Sequence, residues 1–395
     1  MFNKIPFIII KDYILSFEND LSIVDRICFS LRPEEDHQHD YNQSINIDYN
    51  NLNLPKYTTK LVFYSSGSWP SSFADCTNLV SIKLLYSGVD LKRFLWTSDK
   101  FPPTLEILNV MTSFNSVIPI GSLPASLKEF RLGMSFNQPL EVGVFPPGIR
   151  LISLYCDSFN QPIPAGLFPD SVTSLRFGAE FNQPLGSSQL PPNLKRLMLG
   201  RSFRHKLNYL PPTLTYLDIS LNIINFDWLG VDGSNLPDFS QTPKLVTIGK
   251  FPYQFKHLLP PSVTDLTLID LFRKTSVNGN PKVSLLNNVR ELTIGDNFDI
   301  KFNKNSFPKA LKILNIGFYY HQIDPFVLPE SLQVFNITEY SFSIEKDLLP
   351  KKLEELRVSL HTEKLKVQAG SLPASLKLLI FGGYYNGKLI IGDSY

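Results

Sequence analysis

The chain has 395 residues, of which 43% are hydrophobic, enough apolar material to bury a sizeable core. Its 38 basic and 36 acidic residues give a formal net charge of +2, so overall charge gives no reason to expect a nucleic acid or an anionic membrane as partner. Thirty prolines and thirty phenylalanines against four methionines argue against a helical protein and favour β or irregular structure.

The cysteines and the N-terminal residues indicate the compartment. Cys28, Cys76 and Cys156 are odd in number and widely spaced, which fits a reducing environment better than a disulfide framework. The first apolar run ends at Lys11 and Asp12, too early for a signal peptide or a membrane span. We therefore expect a soluble intracellular protein, located in the cytoplasm.

Residues 1–31 differ from the rest of the chain. Their apolar side chains fall near helical spacing, which predicts two short amphipathic helices. These side chains are Ile8, Ile9, Tyr13, Ile14 and Phe17, followed by Ile23, Ile27, Cys28 and Leu31. Residues 32–53, beginning "RPEEDHQHD", are polar and acidic, so we expect a loop or linker there.

The N-terminal segment resembles the opening of an F-box. "KIPFIIIKDYILSF" from Lys4 stands where that family has its LPxEILxxIL stretch, and "DRICFSL" from Asp25 stands where its second helix begins. The resemblance implies docking of residues 1–31 on a Skp-type adaptor of a cullin ubiquitin ligase. The alternative interpretation is that the same helices only cap the end of a repeat array.

Residues 54–395 repeat the pattern LPxxLxxLxLG followed by a loop. Examples are "FPPTLEILNV" from Phe101, "LPPNLKRLMLG" from Leu190 and "FPKALKILNIG" from Phe307. Alternating apolar residues indicate one short strand per repeat, and such a strand must stack on the next repeat to bury its apolar face. We expect proline at the bend before the strand, and glycine after it to supply a positive φ or a tight turn. The predicted fold is a mainly β solenoid of about 15 coils, each of about 22 residues, with one parallel sheet.

A second motif recurs at the same interval of about 22 residues. "SFNQP" occurs at residues 135–139 and 158–162, "EFNQP" at 180–184, and "SFNSV" at 113–117. The phenylalanines at 114, 136, 159, 181 and 203 are 22, 23, 22 and 22 residues apart, and a catalytic motif has no reason to recur at a fixed interval. We predict stacked rings and an asparagine ladder that are structural. The ladder residues are Phe114, Asn115, Phe136, Asn137, Phe159, Asn160, Phe181 and Asn182.

This combined pattern resembles the FNIP repeat family, a relative of leucine-rich repeats, from about Leu61 to the C-terminus. The resemblance implies leucine-rich-repeat-like coils and an interaction surface rather than a known reaction. Later copies such as "YYHQI" from Tyr319 keep an aromatic residue but mostly lose asparagine and glutamine. The asparagine ladder is therefore not expected beyond Asn182.

Motifs that would carry catalysis or hold a cofactor are missing from the sequence. There is no HExxH, CxxC, GxSxG or GxxxxGK[ST], so we expect no enzyme activity, no cofactor and no metal site. An enzyme on a β-solenoid, a third interpretation, would need clustered carboxylates on successive strands. The outward strand positions include only Asp218 as an acid.

A binding function would lie on the open strand face, because the middle residue of LxL points away from the core. The first positions of this column are basic and polar: Lys83, Asn109, Arg131, Ser153 and Arg176. The column continues through Asp218, Thr247 and Thr267. Its charge suits an acidic partner, and ordinary solubility explains the same residues.

These patterns predict a non-catalytic scaffold that presents a solenoid surface to a protein partner, with no role for nucleic acid or membrane. The alternative is an F-box-like substrate receptor of a cullin-type ubiquitin ligase, in which the coils would hold the target.

Overall fold

The computed structural model describes residues 8–10, 27–30, 59–64, 73–74, 76–84, 97–111, 113–133, 135–219, 236–252, 258–269, 287–295, 301–338, 340, 342–360 and 367–383. The chain divides into two compact units, Met1–Leu214 and Thr215–Tyr395, and each is described by itself.

The first unit contains a parallel sheet in which each described strand pairs with the next one along the chain. Its strands are β1 (Ile8–Ile10), β2 (Ile27–Ser30), β3 (Lys60–Tyr64), β4 (Ser81–Leu84), β5 (Ile107–Val110), β6 (Glu129–Leu132), β7 (Leu151–Leu154), β8 (Ser174–Phe177) and β9 (Arg196–Leu199). A single 3-10 turn among the described residues of this unit spans Ser98–Lys100.

The second unit repeats this arrangement, again with sequential parallel pairs. Its strands are β10 (Tyr216–Ile219), β11 (Thr247–Pro252), β12 (Asp265–Ile269), β13 (Glu291–Ile294), β14 (Ile313–Phe318), β15 (Val334–Thr338), β16 (Glu355–Leu360) and β17 (Leu378–Gly383). One 3-10 turn spans Phe239–Gln241. The predicted parallel β-solenoid is confirmed in both units.

The core of each coil comes from the apolar positions of the repeat. On β6, Phe130 and Leu132 are buried while Arg131 between them is half-buried, because successive side chains of a strand point to opposite faces. Leu127, at the preceding apolar position, is also completely buried. A strand of four residues therefore contributes only two inward side chains, and the stacked neighbours supply the rest of the core.

Proline begins the turn that leads into the strand. The carbonyl of Pro124 accepts a hydrogen bond from the Leu127 N–H at 3.1 Å, and Pro146 and Ile149 make the same contact at 3.1 Å. Proline suits this position because its φ is fixed and its missing N–H is not needed there.

The expectation for glycine needs a correction. Positive φ occurs on the other side of the coil, before the proline turn, as at Gly143 with φ of 93°. Gly178, directly after β8, is required for a different reason: a Cβ there would collide with the backbone carbonyl of Cys156 in the preceding coil. Close packing of neighbouring coils, rather than a left-handed turn, accounts for glycine after the strand.

The predicted N-terminal helices are wrong for the residues that can be described. Ile8–Ile10 and Ile27–Ser30 are strands β1 and β2, and they pair in parallel. A short apolar run fits the periodicity of a helix as well as that of a strand, and the isoleucine and phenylalanine residues in these runs favour a strand. The remainder of residues 1–31 and all of the predicted linker, residues 32–53, lie outside the described residues. No helix in the described part of the chain is long and apolar enough to cross a membrane.

Candidate protein-interaction face

The open face of the first unit carries the five basic and polar residues of the column in adjacent strands. The strand register pairs Lys83 with Asn109, Asn109 with Arg131, Arg131 with Ser153, and Ser153 with Arg176. We call these five residues the basic column. Because neighbouring parallel strands lie about 4.8 Å apart, their backbone positions form a continuous row.

In the second unit the outward column does not include Thr247. The register pairs Asp218 with Gly249, whereas Thr247 pairs with Tyr216 and with Asp265. A register shift between Ile248 and Phe251 places an extra residue in β11. This irregularity is a β-bulge: Gly249 and Lys250 both lie between Ile248 and Phe251, where other strands have one residue, so the LxL spacing is absent from β11.

The charges of the basic column are not equivalent. Arg131 is partly neutralised, because its Nη2 lies 2.9 Å from Oε2 of Glu129 on the same strand. Lys83 and Arg176 form no ion pair with any residue that the structure describes. The unpaired cations therefore lie toward the two ends of the column.

Arg176 has an aromatic neighbour that sequence reasoning missed. Its guanidinium carbon lies 3.6 Å from the centre of the Tyr155 ring, and Tyr155 is 45% exposed. The sequence contained a signal for an inserted residue: the interval from Phe136 to Phe159 is 23 residues, whereas the other intervals between ladder phenylalanines are 22. Four positions separate Leu132 from Phe136, but five separate Leu154 from Phe159, so the extra residue falls directly after β7, where Tyr155 lies.

The ladder phenylalanines form a buried column inside the first unit. Phe114, Phe136, Phe159, Phe181 and Phe203 stack in sequence with ring centres 5.8, 6.0, 6.1 and 6.3 Å apart. The angles between successive ring planes are 13°, 14°, 6° and 10°. All five side chains are buried, so they hold the coils together and cannot contact a partner.

The ladder asparagines link one coil to the next. The backbone N–H groups of Asn137, Asn160, Asn182 and Arg204 donate to the side-chain Oδ1 of the asparagine one coil earlier, at 2.9, 3.0, 2.9 and 2.9 Å. Glutamine Nε2 donates to the same oxygens from Gln138, Gln161 and Gln183. The amides thus satisfy backbone donors at a turn that has no strand ladder.

Two later coils use tyrosine for a related purpose. The hydroxyl of Tyr319 accepts a hydrogen bond from the Phe302 N–H at 2.9 Å, and the hydroxyl of Tyr340 accepts one from the Ile323 N–H at 3.1 Å. Both tyrosines are buried. In these coils of the second unit, a phenol oxygen thus satisfies a backbone N–H of the preceding coil, whereas each ladder asparagine satisfies an N–H of the following coil.

Metal-ligating and thiol side chains also occur in the described part of the chain. No group of three or more His, Cys, Asp or Glu side chains in these residues could hold a metal ion. Burial raises the pKa of the Cys156 thiol from 9.0 to about 12, which keeps it protonated and a poor nucleophile at neutral pH.

The ladder coils match a known repeat. The family model described as FNIP Repeat matches residues 136–180, 181–222 and 281–319. These three segments are similar to FNIP repeats. Two of the three matched segments begin at a ladder phenylalanine, Phe136 or Phe181, so one FNIP match spans about two structural coils. No curated protein sequence matches this chain.

A solved leucine-rich-repeat structure shares the fold. The circular leucine-rich-repeat protein CroV588 is 22% identical, with a TM-score of 0.53, over 85% of this chain and 54% of that one. YopM from Yersinia enterocolitica is 20% identical, with a TM-score of 0.36, over 82% of this chain and 60% of that one. The matched part of this chain therefore spans between half and two thirds of the length of these two proteins, and the likeness to CroV588 supports a leucine-rich-repeat-like fold.

Proposed function

We propose that this protein is a non-catalytic interaction scaffold and that the basic column of its first unit binds an acidic segment of a protein partner. The observation that carries this proposal is the alignment of Lys83, Arg131 and Arg176 on one open face, with Lys83 and Arg176 unpaired among the described residues. Repeat folds of this kind present extended surfaces that bind other proteins.

The outward arginines of the two units differ in what lies beside them. In the second unit, Arg357 lies 2.7 Å from Glu355 and Lys377 lies 2.8 Å from Glu354, so these surface cations already have carboxylates beside them. Arg176 has an aromatic ring beside it instead of an acid. A cation held on an open face without a counter-charge attracts an acidic partner and speeds its association.

We also propose a reducing, intracellular location for this scaffold, which the free thiol of Cys156 supports.

The ligase-receptor alternative depended on helices in residues 1–31. Because Ile8–Ile10 and Ile27–Ser30 are strands, no described residue supports adaptor docking, and the interaction scaffold is the function that we retain.

The test is binding of a fluorescein-labelled peptide of alternating glutamate and serine, followed by fluorescence anisotropy at about 50 mM NaCl, where screening is weak. The double variant Arg131→Glu/Arg176→Glu should bind at least about tenfold more weakly than the wild type. Arg357→Glu/Lys377→Glu is the matched control, since it reverses two charges in the second unit and should bind normally. Equal affinity of the two double variants would discard the basic column as the binding surface.

A further inference from the structure

Tyr155 and Arg176 together differ from the rest of the basic column. We propose that they form a subsite that holds one side-chain carboxylate of an aspartate or glutamate in the partner. This inference rests on the proposed function, because it names the part of the basic column that recognises the acid.

The tyrosine ring supports one face of the guanidinium. The guanidinium carbon is 3.6 Å from the ring centre, which is close contact for a cation over an aromatic face. A guanidinium is planar and carries its five N–H donors around its edge, so a ring against one face leaves those donors available. A carboxylate accepts two parallel N–H donors from that edge. The stack therefore orients the arginine before the partner arrives.

The ring is present because of one inserted residue. In neighbouring coils a glycine directly follows the strand, as Gly133 follows β6 and Gly178 follows β8, and neither position has room for a Cβ. After β7 the additional residue sends Tyr155 to the surface, while Cys156 is fully buried. The insertion thus adds an exposed aromatic side chain to a face that otherwise lacks one at this position.

The position beside Arg176 is small. Ser153, its register neighbour on β7, is 6% exposed and lies between Arg176 and Arg131. Two strand spacings separate the two arginines, a distance of about 10 Å between backbone positions. Arg131 already forms an ion pair with Glu129. Of the two arginines, Arg176 is therefore the one whose guanidinium is available to an incoming carboxylate.

The test uses the same glutamate–serine peptide with three variants of the full chain. Arg176→Gln should weaken binding by about tenfold, because it removes the charge and the two-point contact. Tyr155→Leu keeps side-chain bulk but removes the π face, and should weaken binding by about threefold. Tyr155→Phe keeps the ring and should bind within about twofold of the wild type. Arg357→Gln in the second unit is the control for loss of one positive charge.

Coupling between the two residues separates a subsite from a general charge effect. The double variant Tyr155→Leu/Arg176→Gln should bind no more weakly than Arg176→Gln alone, because the ring acts through the arginine. Normal binding by Tyr155→Leu, with binding lost in Arg131→Glu/Arg176→Glu, would overturn the subsite and leave the proposed function standing. No binding of the peptide to the wild type would overturn both.

A competition experiment shows whether the subsite prefers a carboxylate or a phosphate group. Sodium acetate and sodium phosphate are titrated against the bound peptide at matched ionic strength. Displacement by acetate that is lost in Arg176→Gln supports the carboxylate assignment. Displacement by phosphate at far lower concentration than acetate would contradict it and assign the subsite to a phosphoryl group.

Discussion

The side-chain Oδ1 of Asn160 accepts a hydrogen bond from the backbone N–H of Asn182, 2.9 Å away in the next coil. The same oxygen accepts a second bond from Nε2 of Gln183 at 3.0 Å. One amide oxygen therefore joins two coils at a turn where the backbone has no strand partner.

Replacing Asn160 with alanine should lower the free energy of unfolding by about 0.5–1.5 kcal/mol, because the Asn182 N–H and the Gln183 amide lose their acceptor. Asn193→Ala is the control, since the Asn193 side chain is exposed and donates a single bond to the Asp170 carbonyl. Urea unfolding of both variants measures the difference. Equal midpoints would show that water replaces the asparagine without cost.

The phenylalanine column makes a larger contribution. Phe159 is completely buried between Phe136 and Phe181, so Phe159→Ala should cost about 3–5 kcal/mol and lower the melting temperature. Val117→Ala, at a side chain that is 54% exposed, should leave the melting temperature nearly unchanged. An unaltered melting curve for Phe159→Ala would contradict the structural role of the column.

Two adjacent tyrosines in the second unit offer a paired comparison. Tyr319→Phe removes the hydroxyl that accepts from the Phe302 N–H and leaves that donor buried, at a cost of about 1–3 kcal/mol. Tyr320→Phe removes a hydroxyl from a side chain that is 58% exposed and should cost almost nothing. Thermal unfolding of both variants is the measurement, and the account is wrong if the two substitutions behave alike.

Buried acids should make the protein sensitive to alkali. Burial raises the pKa of Cys156 from 9.0 to about 12 and that of Tyr340 from 10.0 to about 12. A raised pKa means that the unfolded chain loses these protons first, so stability is complete below pH 9 and falls as pH rises toward 12. Cys156→Ala should reduce the loss of stability that begins at pH 9, and the loss of stability that is due to Tyr340 should remain. The measurement is the urea unfolding midpoint at each pH in this range. If the midpoint falls with pH equally steeply in the wild type and in Cys156→Ala, the assignment to Cys156 is refuted.

Repetition made much of the fold predictable. The recurrence of LxL and of FNQP fixed which residues lie at equivalent positions, so the strands and the ladder residues could be aligned without a structure. The observed contacts of Phe159 and Asn160 occur at those equivalent positions.

Departures from the repeat were harder to interpret. The extra residue at Tyr155 and the bulge in β11 each shift the chain by one position, and a period alone does not say which residue is displaced. The ion pair of Glu129 with Arg131 was not predicted, although residues two positions apart on a strand lie on the same face of the sheet. In the N-terminal segment, short apolar runs suited both helix and strand, and β1 and β2 formed.

The most direct test of the central claim is a cross-linking map of the bound acidic peptide. The glutamate–serine peptide is synthesised with one photoreactive benzoylphenylalanine, irradiated with the full-length protein, and the adducts are located by mass spectrometry. We predict adducts on the open face of strands β4 to β9, at positions such as Asn109, Ser153 and Met198, the residue of β9 that pairs with Arg176 in the strand register. Adducts concentrated on the exposed prolines of the FNQP turns, or in the second unit, would contradict the assignment of binding to the basic column.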